Sequence, residues 1–108
     1  MTTQLPANTF DRVYDVILER KQSSPETSYV AYLMDNGTDL ILKKICEESA
    51  EVVIAAKNEN RKEQIHEIAD LWFHLLVLMG HQEITLTDIS MELERRFDQS
   101  GLEEKANR

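Results

Sequence analysis

The residues with the most chemistry to offer lie between Lys43 and Asp70, in the stretch KKICEESAEVVIAAKNENRKEQIHEIAD. Glu47, Glu48 and Glu51 form one acidic cluster, and Glu67 and Asp70 form a second after an intervening turn. Acids three or four positions apart on a helix leave from the same side of the cylinder. Two such clusters on consecutive helices can therefore be brought face to face. Carboxylates so placed repel one another unless positive charge sits between them. A hard cation that takes oxygen ligands is the simplest solution, Mg²⁺ first, with Mn²⁺ as a substitute.

The elements that must carry these residues are legible as helices. Asn8 or Thr9 can cap a helix starting near Phe10, whose apolar side is Phe10, Val13, Tyr14, Ile17 and Leu18. The polar run Glu19 to Ser24 closes it, and Pro25 stops it from continuing. Ser28 caps a short second helix, YVAYLM, that ends at Asn36-Gly37 in a left-handed cap. Thr38 opens the third helix, which runs to about Asn58; the fourth begins after Asn60 and reaches about Gly80. Thr85 or Thr87 caps a fifth with Leu86, Ile89, Leu93 and Phe97 on its apolar side, and Gly101 ends it. The expected architecture is an all-α helical bundle of about five helices forming one domain over residues 1–108, with a leader at 1–8 and a flexible tail at 102–108.

With about 100° per residue, Ile41, Ile45, Val52 and Ala56 share the buried side of the third helix. Glu48 then sits on the shoulder of that side, where an isolated carboxylate is costly, and Glu51 and Glu47 lie further round. On the fourth helix Glu67, Asp70 and His74 form a narrow polar stripe on an otherwise apolar cylinder that includes Ile65, Ile68, Trp72 and Leu76. A helix so apolar is covered on most sides, and a chain this small calls for a second copy to do it, hence a homodimer. The plain alternative for Glu47, Glu48 and Glu51 is a solvated face tied by Lys43–Glu47 and Lys44–Glu48 pairs worth a few tenths of a kcal/mol each. Two acid clusters on either side of a turn, each with a shoulder in the core, favour the cation site. His74 is a candidate for orienting a carboxylate or a phosphate from behind the site. Lys57, Arg61 and Lys62 near the turn could neutralise phosphates. Trp72, Tyr29 and Tyr32 read as packing residues, with Tyr29 beside Ser28 also placed to meet a substrate.

Composition narrows the function classes. A net charge of −8 from 20 acids and 12 bases excludes a general nucleic-acid binder, which needs cations to displace the counterions of the phosphate backbone. A nucleotide fits such a surface when a metal mediates the contact. The single cysteine, Cys46, excludes an intrachain disulfide and a thiolate zinc cage, and reads as a small packing residue. Neither a secretory signal nor a run long enough to span a bilayer is present, so a cytoplasmic protein without membrane partners is expected.

Glu47-Glu48-Ser49-Ala50-Glu51, then fifteen residues, then Glu67-Ile68-Ala69-Asp70 resembles the motif of the all-α nucleoside triphosphate pyrophosphohydrolases. Ser28-Tyr29-Val30-Ala31, Ile41-Leu42-Lys43-Lys44-Ile45, His74-Leu75-Leu76-Val77-Leu78 and Ser100-Gly101-Leu102-Glu103-Glu104-Lys105 are similar to the phosphoribosyl-ATP pyrophosphohydrolase family within it. The resemblance runs over nearly the whole chain from Phe10 onward. It departs at Cys46, where the family usually has glycine or another small residue. The resemblance implies Mg²⁺-dependent hydrolysis of phosphoribosyl-ATP to phosphoribosyl-AMP and pyrophosphate, the second step of histidine biosynthesis, by a homodimer. Carried over by motif position, Glu48, Glu51, Glu67 and Asp70 are expected metal ligands, with Glu47 close by; as a carboxylate not committed to the metal, Glu47 is the candidate proton acceptor. Lys43, Lys44, Ser28, Tyr29, Lys57 and His74 are expected substrate contacts. The alternatives are a housekeeping (d)NTP pyrophosphohydrolase of the same fold and a helical interaction module whose acids are ordinary surface.

Overall fold

The computed structural model describes residues 9–97. The expected leader at 1–8, the stop at Gly101 and the tail at 102–108 lie outside them. Among the described residues the chain is all α: α1 is Thr9–Arg20, α2 Tyr29–Asn36, α3 Thr38–Lys57, α4 Arg61–Gln82 and α5 Leu86–Phe97. No helix among these residues is long and apolar enough to cross a membrane.

Local chemistry sets most of the boundaries. The Ser28 hydroxyl accepts from the Ala31 amide at 3.2 Å and starts α2. The Asn60 side chain accepts from the Glu63 amide at 3.0 Å and starts α4. Thr85 and Asp88 cap α5 reciprocally, with Thr85 N–H to Asp88 Oδ2 at 2.8 Å and Asp88 N–H to Thr85 Oγ1 at 3.1 Å. Gly37 ends α2 as expected, but in a different conformation from a left-handed cap: φ is 93° and ψ 179°, a region essentially reserved for glycine. That geometry lets α3 begin at the next residue.

α4 does not stop at Gly80. It continues to Gln82, and Glu83 takes the left-handed turn at φ 60°. Gly80 has a packing task instead. A Cβ there would stand 3.3 Å from Ile17 Cγ2 and 3.5 Å from Leu18 Cδ2, so its absence lets α1 lie close across α4. Lys21 Nζ donates to the Gly80 carbonyl at 3.1 Å, and the Tyr14 hydroxyl donates to the Ile84 carbonyl at 2.6 Å.

The helices are arranged around an antiparallel α3–α4 hairpin, the most extensive helix contact in the fold. Its direction follows from the short turn at 58–60 and is visible at the far end, where Gln82 donates to the Thr38 hydroxyl at 3.4 Å. α1 packs chiefly on α4 and α2 on both helices, and the core they share lies at the end of the hairpin away from the 58–60 turn. Ile17, Leu33, Ile41 and Val77, one from each of the four helices, meet there with exposures of 1, 0, 0 and 0 %. At the other half, Val53, Ile54, Ile65 and Ile68 are exposed by 61, 54, 58 and 42 %. α5 buries none of its residues in its own chain. Its caps support it locally, as does Glu92, which accepts from Arg95 at 2.6 and 3.1 Å and from Arg96 at 3.1 Å.

Candidate metal and nucleotide site

The buried line of α3 is Ile41, Ile45, Glu48, Val52 and Ala55, each at least partly buried, a repeat of 3.5 residues. Ala56, expected in that line, is exposed, and Ala55 takes its place at 6 % exposure. Two helices that stay in register along a shared seam follow the shorter repeat, so Ala55 meets α4 where a straight wheel leaves the choice open. The consequence for Glu48 is direct. It lies in the middle of the line, on the seam with α4, instead of on its shoulder.

The facing line of α4 is Glu67, Asp70, His74 and Val77. Glu67 and Asp70 are half-buried, and His74 and Val77 are buried. The polar stripe of α4 therefore looks into the hairpin. Glu51 and Glu67 line one cleft of about 130 Å³ across the seam. Burial raises the Glu67 carboxyl above its ordinary value, His66 partly offsets this, and Glu51, Glu48 and Asp70 raise it further. The carboxylates on the two helices thus share one field, as the spacing requires.

The linkage sign follows from that direction. A carboxyl whose folded pKa lies above the ordinary 4.5 binds its proton more tightly when folded. Its favourable contribution to stability is complete below the ordinary value and is lost as pH rises through the folded pKa. In chelator, the melting temperature of the wild type should therefore fall relative to Glu67→Gln as pH is raised from the ordinary carboxylate value towards neutrality. Parallel melting curves for the two proteins across that range would contradict the assignment.

His66 was not anticipated from the sequence. Its Nε2 lies 3.7 Å from Asp70 Oδ2, and ligand atoms of His66, Glu67 and Asp70 fall within 4.8 Å of one another. These three residues could hold a metal ion between them. The i, i+4 relation of His66 to Asp70 was the available signal.

His74 is 4 % exposed and is anchored at both nitrogens. Nδ1 lies 2.8 Å from the Asp70 main-chain carbonyl, and Nε2 lies 2.9 Å from the Tyr29 hydroxyl. A carbonyl only accepts, so Nδ1 carries the hydrogen, and Nε2 pairs with the Tyr29 hydroxyl. His74 thus fixes a tyrosine and a main-chain group, where the sequence placed it behind a carboxylate or a phosphate. Tyr29 in turn stands beside the acids. Burial raises its pKa, Lys44 lowers it, and Glu48, Asp70 and Glu47 raise it again. Lys44 reaches Glu47 Oε1 at 3.4 Å, an i, i+3 pair in place of the expected i, i+4 pairs. Tyr29 first, then the hydrogen bond to Glu47, raises the Lys44 pKa, so the ammonium persists at neutral pH.

The other expected residues are dispersed. Lys43 is exposed and lies roughly 200° round α3 from Ile41, away from the seam. Lys57 is exposed in the last turn of α3, roughly 9 Å along the axis beyond Glu51. Ser28 is buried and its oxygen serves as the α2 cap. Cys46, expected to pack, is exposed.

A family model described as phosphoribosyl-ATP pyrophosphohydrolase matches residues 10–97. The chain belongs to the phosphoribosyl-ATP pyrophosphohydrolase family. Among its relatives are proteins named phosphoribosyl-ATP pyrophosphatase from Hydrogenovibrio crunogenus, 52% identical over 91% of this chain and 88% of that protein, and from Geobacter sulfurreducens, 54% identical over 89% of each. Another, from Leptospira biflexa, is 58% identical over 79% of this chain and 92% of that protein. The match spans both acid-bearing helices, α1 and α2, so it covers every element that builds the site.

Proposed function

We propose that the protein hydrolyses phosphoribosyl-ATP to phosphoribosyl-AMP and pyrophosphate, acting in the cytoplasm in the second step of histidine biosynthesis. The observation that supports this best is the alignment of Glu48 and Glu51 on α3 with Glu67 and Asp70 on α4 across one seam, in a chain of this family.

The donor set fits a hard divalent cation. It is made of carboxylate oxygens, and Glu51, Glu48 and Asp70 add to the burial that raises the Glu67 carboxyl, against a partial offset from His66. Glu48, Glu51, Glu67 and Asp70 would hold Mg²⁺, with Mn²⁺ as a substitute and His66 at the rim. Bound there, the ion supplies charge neutralisation and orientation for the phosphate oxygens.

The chain's own groups then divide the remaining work. A water attacks the phosphorus nearest the ribose, and the bond to the pyrophosphate oxygen breaks. Glu47 is half exposed and stands off the seam, paired with Lys44, so it is free of the metal set and placed to accept the water proton. Lys44 presents a fixed positive charge to the departing phosphates. Tyr29, held by His74, sets the wall against which the nucleotide lies.

The proposed working form is a homodimer. Val53, Ile54, Ile65 and Ile68 on the acid-bearing half of the hairpin are exposed, and a cavity of about 560 Å³ between α1 and α4, walled by Phe10, Ile65, Ile68 and Trp72, is almost wholly apolar. A second copy would cover both. Light scattering at micromolar concentration should give twice the chain mass, and a monomer mass would remove the dimer.

The substrate assignment is tested by comparing kcat/KM for pyrophosphate release from phosphoribosyl-ATP and from a panel of dNTPs. A preference of at least about 100-fold for phosphoribosyl-ATP is expected, since differential binding of about 3 kcal/mol suffices for it. Equal rates would instead favour the housekeeping activity.

A further inference from the structure

A second cavity, of about 720 Å³, lies between α1, the start of α2 and Phe73 of α4. Its volume is that of a small-molecule site. Its walls differ from those of the apolar cavity facing the proposed dimer partner. Val13, Val16, Ile17 and Val30 give apolar surface, while Arg12 and Arg20 line it from α1. One carboxylate, Asp15, also lines it, leaving two cations against one anion in a chain whose net charge is −8. Among the described residues, neither guanidinium is engaged by a hydrogen bond or an ion pair.

Tyr29 joins this cavity to the acid seam. Its ring lines the cavity and stacks on Phe73 with centroids 6.3 Å apart and planes at 16°. Its hydroxyl is held 2.9 Å from His74 Nε2. One side of Tyr29 therefore faces carboxylates suited to a metal-bound triphosphate, and the other opens on an apolar cavity with guanidinium groups. An ordinary nucleoside triphosphate carries phosphate at one end only. Phosphoribosyl-ATP carries a second, monoester phosphate on the ribose attached to its base, remote from the bond that breaks.

We infer that this cavity binds the remote half of the substrate, with the base against Tyr29 and Phe73 and the second ribose phosphate held by Arg12 and Arg20. The inference rests on the phosphoribosyl-ATP reading. Guanidinium groups suit a phosphate dianion by charge and by their paired donors. Arg12 and Arg20, roughly 12 Å apart along the helix axis, can reach inward over the Val16 side chain from both ends of the cavity. Specificity for phosphoribosyl-ATP over ATP then resides in α1, away from the metal set.

The test compares the wild type with Arg12→Gln, Arg20→Gln and the double variant. KM is measured for phosphoribosyl-ATP, and inhibition constants are measured for phosphoribosyl-AMP and AMP. The double variant should raise KM and the phosphoribosyl-AMP constant by roughly 10- to 100-fold, while the AMP constant moves less than about twofold. Lysine at both positions should restore part of the loss. Equal weakening of both monophosphates, no change in either, or a change in particle mass on light scattering would overturn the assignment. A wild type active on phosphoribosyl-ATP with an unaffected double variant removes the subsite alone; a wild type inactive on phosphoribosyl-ATP removes the underlying reading.

Discussion

Glu48→Ala is expected to lower pyrophosphate release by about three orders of magnitude, because losing one metal ligand forfeits several kcal/mol of charge stabilisation in the transition state. The fold should tolerate the change. Glu48 occupies the centre of the α3 seam, where its charge opposes that of Glu67. Alanine removes that repulsion and is the better helix former. Helicity by circular dichroism should be unchanged, and the metal-free melting temperature should be no lower than that of the wild type. Mg²⁺ should raise the wild-type melting temperature, since a ligand at 100 times its Kd adds about 2.7 kcal/mol, and this rise should vanish in the variant. Asp70→Ala should behave in the same way. Full activity in either variant would remove it from the metal set.

Ile41→Ala should do the opposite. Ile41 lies on the same line of α3, seven residues before Glu48, but at the end of the hairpin far from the 58–60 turn, where it is fully buried with Ile17, Leu33 and Val77. Truncating it leaves a cavity between four helices and should cost about 2–5 kcal/mol, lowering the melting temperature by roughly 10 °C or more for a chain of this size. Below that temperature the acids keep their places, so activity per folded molecule should stay within about threefold of the wild type. Urea denaturation and a kinetic assay well below the transition check both halves. A variant as stable as the wild type would contradict the four-helix core. The two substitutions thus separate the end of the seam that holds the fold from the end that holds the chemistry.

What could be read from the sequence was mostly local. Ser28 as a cap, Thr85 as one of two candidate caps and the start of α4 after Asn60 were readable because a cap needs only its own side chain and an amide three residues on. The acid pairs were readable because i, i+3 spacing fixes a common helix side. What escaped depended on which neighbour a side meets. Ala55 displaced Ala56 because register with α4 set the repeat. Gly80 looked like a stop but makes room for Ile17, a residue 63 positions earlier. Cys46 and the apolar side of α5 looked buried because apolar periodicity signals burial without naming the surface that supplies it; Cys46, Ile89, Leu93 and Phe97 are exposed in the single chain, and only Leu86 of that side packs on the core. Tyr29 and His74 were singled out separately, yet their bond joins positions 45 residues apart and needed the fold to become visible.

The α3–α4 carboxylates are proposed to support metal-dependent cleavage of phosphoribosyl-ATP between its first and second phosphates. The most direct measurement is phosphorus NMR of that substrate incubated with the purified protein, first in chelator and then with Mg²⁺ added. No change is expected in chelator, followed on metal addition by equal amounts of phosphoribosyl-AMP and pyrophosphate. Turnover in chelator, orthophosphate in place of pyrophosphate, or no reaction with Mg²⁺ present would contradict it.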